Sequence, residues 1–479
     1  MLKRIGFFGA PALFIILLLI GHPESISPGA WKAIAGAVWM LIWWVTEAVP
    51  MPVTSLLPLA LFPLLGLGSI KDNAVPYSNP VVFLFMGGFM IALALEKWNL
   101  HRRIALTIVR WTGTNANGII LGFMLATALL SMWISNTATT VMMLPIANSV
   151  IQLLTQSAGE LPRQGIRNFA LCMMLAIAYS ASIGGTATII GTPPNSVMTG
   201  FISENLNMEV GFARWMIVGV PFSFLLIFAA YFLLVKVLYP SQLGSFQGAQ
   251  AVLDLELKKL GPISKTEKRV LAVFLFAAVC WIFQSYFNAL LKETGFVLSD
   301  TVVAMAAGIL LFMVPSNFEK HEFLLDWEDT MRLPWGILLL FGGGLSLADT
   351  LYQQGIIDII GQQFAGSSAS PLLVTLGLTA ASLMLTEVMS NVALVTVFLP
   401  VVYGVANGLG MEPLFLIIPV TLAASCAFML PMSTPPNAIV FASNYVTIPQ
   451  MARAGFFLNI IAILLAVIAG MVLAPWAFG

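Results

Sequence analysis

Residues 118–154 and 371–406 are apolar stretches that carry the same polar interruption at the same place, and that duplication limits what the chain can fold into. The first interruption lies in Ser131–Pro145, SMWISNTATTVMMLP, and the second in Thr386–Pro400, TEVMSNVALVTVFLP. Each has a Ser-Asn pair, a hydroxyl residue four positions before that serine, and a Leu-Pro pair after it, all at an offset of 255. Ser, Thr and Asn end one helix and cap the next, because their short side chains satisfy free backbone N–H groups. In a bilayer those groups have no water to turn to, so such a break survives only inside protein or beside a wet cavity. A duplicated polar break at membrane depth points to transport.

The membrane setting comes from composition. Hydrophobic residues make up 59% of 479 and charged residues 9%, which defines an all-α polytopic membrane protein. The net charge of zero carries no information about partners. Cys172, Cys280 and Cys426 are isolated in apolar runs, a pattern of packing residues rather than of a metal site or disulfide framework. Lys3-Arg4 before Ile5–Ile20 imitates a signal peptide, but the run is long and no small-residue cleavage site follows. It is read as a retained helix.

Apolar spans run over 5–21, 30–47, 52–68, 80–99, 213–238, 269–291, 300–315, 333–353 and 455–476. Two more, 169–203 and 412–445, are broken at Gly191-Thr192-Pro193-Pro194-Asn195 and Ser433-Thr434-Pro435-Pro436-Asn437. Leu84-Phe85-Met86-Gly87-Gly88 resembles Leu340-Phe341-Gly342-Gly343-Gly344 at an offset of 256, and the Thr-Pro-Pro-Asn runs match at 242. The chain is therefore an internal duplication. Residues 1–29 supply an extra helix, 30–239 the first repeat, 240–268 a cytoplasmic loop and 269–479 the second repeat.

Each interrupted stretch is long enough for two half-depth helices, so 118–154 and 371–406 are expected to be re-entrant hairpins with Ser-Asn tips. Each repeat then has an odd number of crossings and the second is inverted. About eleven transmembrane helices result, with the N-terminus cytoplasmic and the C-terminus outside in a plasma (inner) membrane. In that topology seventeen Lys and Arg face the cytoplasm and only Lys32, Lys71, Arg214 and Lys292 lie outside. Treating the hairpins as full crossings would put Arg163, Arg167 and the Lys258–Arg269 cluster outside, against the positive-inside bias.

At a hairpin tip the ending helix presents free carbonyls, which suit a hard cation such as sodium. The starting helix presents N–H groups and a positive dipole end, which suit a carboxylate. The Pro-Pro pairs repeat this logic, since proline breaks one helix and starts the next. No Lys or Arg lies in these motifs, so an anion there needs helix ends, polar groups and co-bound cations to offset its charge. Glu387 is read first as a structural carboxylate behind the second tip, with a proton or cation site as the alternative. Glu47 is read as a helix-end or interfacial contact. His22, His101 and His321 lie near span ends, and Met142-Met143 and the tryptophans are packing and interface residues. No nucleophile elbow, P-loop or metalloprotease helix is present, so the chain is not read as an enzyme.

Trp44-Val-Thr-Glu-Ala-Val-Pro-Met-Pro-Val-Thr-Ser-Leu-Leu-Pro58, the two Ser-Asn motifs and the paired Thr-Pro-Pro-Asn runs resemble the divalent anion–sodium symporter family, the sodium-coupled di- and tricarboxylate carriers. The resemblance covers essentially the whole chain. It implies a homodimer in which each protomer has a scaffold domain and a mobile transport domain that moves like an elevator. It also implies a first sodium site at Ser131, Ser135, Asn136 and Gly191, and a second at Thr386, Met389 (backbone), Asn391 and Ser433 (backbone). Substrate carboxylates would meet Ser135, Asn136, Thr137, Thr192, Ser390, Asn391, Thr434 and Pro435. Val392 departs from the family's threonine and removes one hydroxyl.

The function expected is sodium-coupled import of C4-dicarboxylates such as succinate, malate and fumarate. A dicarboxylate exchanger or a citrate or sulfate carrier of the same fold is the first alternative, and an ion channel the second. Sodium ions are the coupling ions and no cofactor is expected. The expected partners are a di-anionic small molecule, the lipid bilayer and a second copy of the chain, with no nucleic acid.

Overall fold

The computed structural model describes residues 2–113, 115–156, 162–244, 247–293, 295–365 and 369–478. It is helical almost throughout; one short ribbon pairs Pro315–Asn317 with Glu322–Phe323. Eight helices among the described residues are long and apolar enough to cross a bilayer. Lys265–Ile282 and Gln284–Leu290, bent by 77° at their junction, make a ninth if counted together.

The expected spans differ from the helices in three places. Residues 52–68 form two short helices, Met51–Thr54 and Leu57–Leu64, because Pro50, Pro52, Pro58 and Pro63 prevent one continuous hydrogen-bond ladder. Residues 269–291 are the bent pair, and 300–315 contract to the 14-residue helix Asp300–Met313. The short segments at 51–64 and 300–313 occupy corresponding places in the two repeats. A Cβ on Gly343 would stand 2.2 Å from the Ser55 carbonyl oxygen, and one on Gly87 would stand 2.5 Å from that of Ala304. The Gly-Gly motifs thus let a long helix, Trp335–Gln353 or Pro80–Lys97, lie backbone to backbone on its short neighbour. The helix Pro28–Thr46 is capped by Ser27, whose Oγ accepts from Ala30 N at 3.1 Å. It ends at Glu47 in the left-handed region (φ 45°), and Glu47 pairs with Lys3 at 3.3 Å, the helix-end role expected of it.

Both interrupted stretches are pairs of helices. Ala116–Ser131 is followed by Asn136–Gln156, and Pro371–Thr386 by Asn391–Leu409. The Thr-Pro-Pro-Asn segments also separate two helices: Arg163–Gly185 from Pro193–Leu206, and Leu414–Ala424 from Pro435–Phe441. Each first half packs on the helix pair of its own repeat. Each second half crosses to the other repeat. Pro193–Leu206 lies on Asn391–Leu409 and Leu414–Ala424, and Pro435–Phe441 lies on Asn136–Gln156 and Arg163–Gly185. The exchange is reciprocal, and it gathers all four interrupted elements into one cluster.

Two amphipathic helices escaped the hydropathy reading. Leu100–Trp111 packs on Ala116–Ser131, and Ile356–Phe364, starting 256 positions later, packs on Asn391–Leu409. A Cβ on Gly408 would lie 2.1 Å from the Gly361 carbonyl oxygen, so this second contact is also backbone on backbone. In the polar loop, the helix Gln247–Leu260 rests on Leu100–Trp111 and Asn136–Gln156. Arg110 reaches Asp254 at 3.2 Å, Arg102 pairs with Glu256, and Arg103 holds Glu267 at 2.7 Å.

Candidate functional site

At the first break, Ser131 Oγ lies 2.6 Å from Asn136 Oδ1 and 2.7 Å from the Ala181 carbonyl oxygen. At the second, Thr386 Oγ1 lies 2.7 Å from Asn391 Oδ1 and 2.7 Å from the Ala424 carbonyl oxygen. Both hydroxyls are fully buried. In each triplet a single hydroxyl proton serves two acceptor oxygens, the asparagine Oδ1 and a backbone carbonyl. A surplus of oxygen lone pairs with no donor to match is what a desolvated hard cation takes. The first cage has a floor. A Cβ on Gly185 would stand 2.6 Å from Asn136 Oδ1 and 3.0 Å from the Gly191 carbonyl oxygen. The bare Cα of Gly185 is what leaves those two oxygens a common space.

The other expected site residues surround these cages. Ser135, Thr137 and Pro435 are exposed; Asn136, Ser390, Asn391 and Met389 are half-buried; Gly191, Thr192, Ser433 and Thr434 are buried. Ser135 Oγ accepts from Ala138 N at 3.2 Å, the cap that starts Asn136–Gln156. Thr434 Oγ1 accepts from Asn437 N at 3.5 Å, whereas the Thr192 hydroxyl makes no cap bond. Met389 N donates to the Leu385 carbonyl at 3.2 Å. Val392 is 9% exposed and belongs to the apolar core, so its missing hydroxyl is missing from packing rather than from an open surface.

The two unwound segments are held open by equivalent asparagines. Asn195 Nδ2 donates toward the carbonyls of Thr186 (3.2 Å) and Thr188 (2.8 Å); Asn437 Nδ2 does so toward Ala427 and Leu430, both at 3.0 Å. These bonds occupy carbonyls that the broken helices cannot satisfy themselves. In the second segment Tyr179 adds its hydroxyl, 2.9 Å from the Phe428 carbonyl.

Glu387 is tied down as a structural carboxylate would be. Its Oε1 accepts from Phe428 N at 2.9 Å, Met429 N at 3.0 Å and Asn459 Nδ2 at 2.7 Å. Its Oε2 accepts from Leu430 N at 3.3 Å and Ser433 Oγ at 2.6 Å, and Ser433 Oγ also lies 2.8 Å from the Glu387 carbonyl. Asn459 was not singled out from sequence, although a lone amide inside the apolar span 455–476 is a visible signal. Ala181, Ala424 and Gly185 give no such signal, because they act through backbone or through the lack of a side chain.

Charge completes the picture. No Lys or Arg occurs in 131–145, 186–195, 386–400 or 425–437. Four helices begin at the breaks, and the three long ones, Asn136–Gln156, Pro193–Leu206 and Asn391–Leu409, supply N-terminal amides and dipoles as the positive groups at hand.

Interrupted helices in reciprocal pairs, with oxygen cages beside helix N-termini, are the arrangement of membrane carriers of the broken-helix class. The pattern of the sodium:sulfate symporter transmembrane region matches residues 4–478, and the chain belongs to that family. It is 38% identical over 482 residues to the sodium-dependent dicarboxylate transporter SdcS of Staphylococcus saprophyticus, covering 100% of this chain and 92% of that one. The SdcS protein of Staphylococcus aureus strain USA300 is likewise 38% identical, over 483 residues and the same shares. Among solved structures, Neisseria gonorrhoeae MtrF, described as one of a class of antimetabolite efflux pumps, aligns over 95% of this chain and 97% of its own with a TM-score of 0.55. The Alcanivorax borkumensis YdaH transporter aligns over 84% and 86% with a TM-score of 0.56. Both are 14% identical, so the likeness is one of fold alone.

Proposed function

We propose that the protein is a sodium-coupled symporter that imports C4-dicarboxylates such as succinate, malate and fumarate. The observation that carries this reading is the pair of oxygen cages at Ser131–Asn136 and Thr386–Asn391, set in segments without a basic residue. One sodium ion at each cage offsets a dianion that the protein alone cannot neutralise. The first ion takes Ser131, Ser135, Asn136 and the Gly191 carbonyl; the second takes Thr386, Asn391 and the carbonyls of Met389 and Ser433. The carboxylates meet Ser135, Asn136, Thr137, Thr192, Ser390, Asn391, Thr434 and Pro435, at helix starts that favour negative charge. The name of the SdcS relatives supports a dicarboxylate over sulfate.

In the same reading 118–154 and 371–406 are re-entrant hairpins of an inverted repeat with eleven crossings, the N-terminus cytoplasmic and the C-terminus outside. The asymmetry of Lys and Arg supports that orientation. The hairpins and broken helices form the transport body, which moves against a scaffold in a homodimer.

Uptake of labelled succinate into proteoliposomes tests the reading, with sodium, potassium and proton gradients imposed one at a time. Net uptake driven by sodium alone, and competed by malate and fumarate, is the result expected. Net uptake that ignores sodium overturns symport, and strong competition by citrate or sulfate overturns the substrate class.

A further inference from the structure

Two helices long enough to cross a bilayer carry an exposed apolar stripe, and both stripes end in a cation on the same side of the molecule. In Phe212–Phe232 and its continuation Leu233–Leu238, Phe224, Phe228, Phe232 and Lys236 follow one another at four-residue spacing, all exposed. In Ile448–Ile468 the exposed stripe is Arg453, Phe457, Ile460, Leu464 and Ile468. Spacings of three and four put such residues on one face of a helix. The two helices pack on each other, and their cationic ends meet. Tyr239, three residues past Lys236, donates its hydroxyl at 2.9 Å to the carbonyl of Gln450, three residues before Arg453. The start of Arg163–Gly185 joins the same rim, because Asn168 Nδ2 donates to the Pro240 carbonyl at 2.9 Å. It adds Arg163 and Arg167, one turn apart and both exposed.

None of these four cations forms an ion pair among the described residues. No Asp or Glu occurs in 162–172, 233–244 or 447–457. The arginines of Leu100–Trp111 are different, since Glu256, Glu267 and Asp254 take up the charges of Arg102, Arg103 and Arg110. A rim of uncompensated positive charge at the ends of two apolar stripes fits a molecule with an anionic head and long apolar chains. A dicarboxylate or free phosphate would use the cations and leave the stripes unused. We propose that this rim binds a phospholipid with a net negative headgroup, its head at Lys236 and Arg453 and its chains along the two stripes. Arg163 and Arg167 add to the attraction. The site is separate from the oxygen cages and requires only that the two helices cross a membrane.

Native mass spectrometry of the detergent-solubilised full chain, with phosphatidylglycerol and phosphatidylcholine added in equal amounts, tests the site. The wild type is expected to retain phosphatidylglycerol in preference. Lys236→Gln and Arg453→Gln should each weaken that retention about fivefold, the worth of one cation near a charged lipid surface. Lys236→Arg and Arg453→Lys keep the charge and should keep the lipid. Lys265→Gln/Lys268→Gln, which removes two exposed cations at the start of Lys265–Ile282, should change nothing. Lys236 and Arg453 are exposed and unpaired, so their replacement leaves the fold intact. Equal retention of the two lipids, retention unchanged in Lys236→Gln and Arg453→Gln, or the same loss in the Lys265→Gln/Lys268→Gln control overturns the site. Displacement of the lipid by inorganic phosphate or by succinate assigns the cations to a small soluble anion and overturns the lipid.

Discussion

The side chains of Ser131 and Asn136 close across the first helix break, hydroxyl to amide oxygen, at 2.6 Å, and Thr386 and Asn391 repeat the contact at 2.7 Å. Each asparagine both starts a helix and turns an oxygen toward the hydroxyl that ended the preceding one. Asn136→Ala and Asn391→Ala are each expected to abolish sodium-driven succinate uptake while leaving detergent-solubilised protein monodisperse. Normal uptake by both variants would remove the asparagines from the site.

Gly185→Ala puts a methyl group 2.6 Å from Asn136 Oδ1, inside the first cage. Sodium should then stabilise the variant less than the wild type in a thermal-unfolding titration, because a ligand stabilises only in proportion to its binding. The same sodium-dependent rise in melting temperature in both proteins would show that the space is not used by the ion.

Val392→Thr is expected to lower stability by about 1–3 kcal/mol, the cost of burying a hydroxyl without a partner. Val392 is packed in the core, so the preference for succinate over citrate should not move. A changed preference at unchanged melting temperature would mean that this side chain faces the substrate.

Sodium and succinate should tighten each other's binding by the same factor, as linkage demands. Calorimetry in choline or potassium buffer is expected to give negligible succinate binding, and uptake should rise with sodium with a Hill coefficient above one. Equal succinate affinity with and without sodium rules out cation-built binding.

The loop helix Gln247–Leu260 gives a pH signature away from the membrane. The Lys259 hydrogen bond to Glu256, at 2.6 Å, together with Arg102, holds this carboxyl below its ordinary 4.5. A carboxyl depressed in the folded state stabilises above its unfolded value, and that contribution is lost as pH falls through the folded value. Glu256→Gln should therefore cost about 0.5–1 kcal/mol at neutral pH, with the deficit shrinking as the pH drops below 4.5. A deficit of constant size would assign the effect to packing.

The helix breaks were legible because capping chemistry is local. Ser-Asn and Thr-Pro-Pro-Asn announce where one ladder stops and another starts, and the helices Asn136–Gln156, Asn391–Leu409, Pro193–Leu206 and Pro435–Phe441 begin at those residues. The matching offsets between the two halves were likewise visible in the sequence itself. Three things were not. The carbonyls of Ala181 and Ala424 reach the cages from helices remote in sequence, and an alanine does not advertise its backbone. Leu100–Trp111 and Ile356–Phe364 are half polar, so a search for continuous apolar runs passes over them. The run 52–68 is apolar enough to cross, and only its prolines say that it is not one helix.

The exchange of helix halves between repeats governs how the chain must be assembled. The helix pair Ala116–Ser131 and Asn136–Gln156 leaves the ribosome long before Pro435–Phe441, the short helix that lies on its second member. Until then the first half of the protein holds a groove whose filling has not been synthesised, and its polar tip has no finished surroundings. Membrane insertion can proceed helix by helix, but the site closes only at the end of translation. A chain truncated before Pro435 would keep most of its spans and lack the wall on which both halves depend.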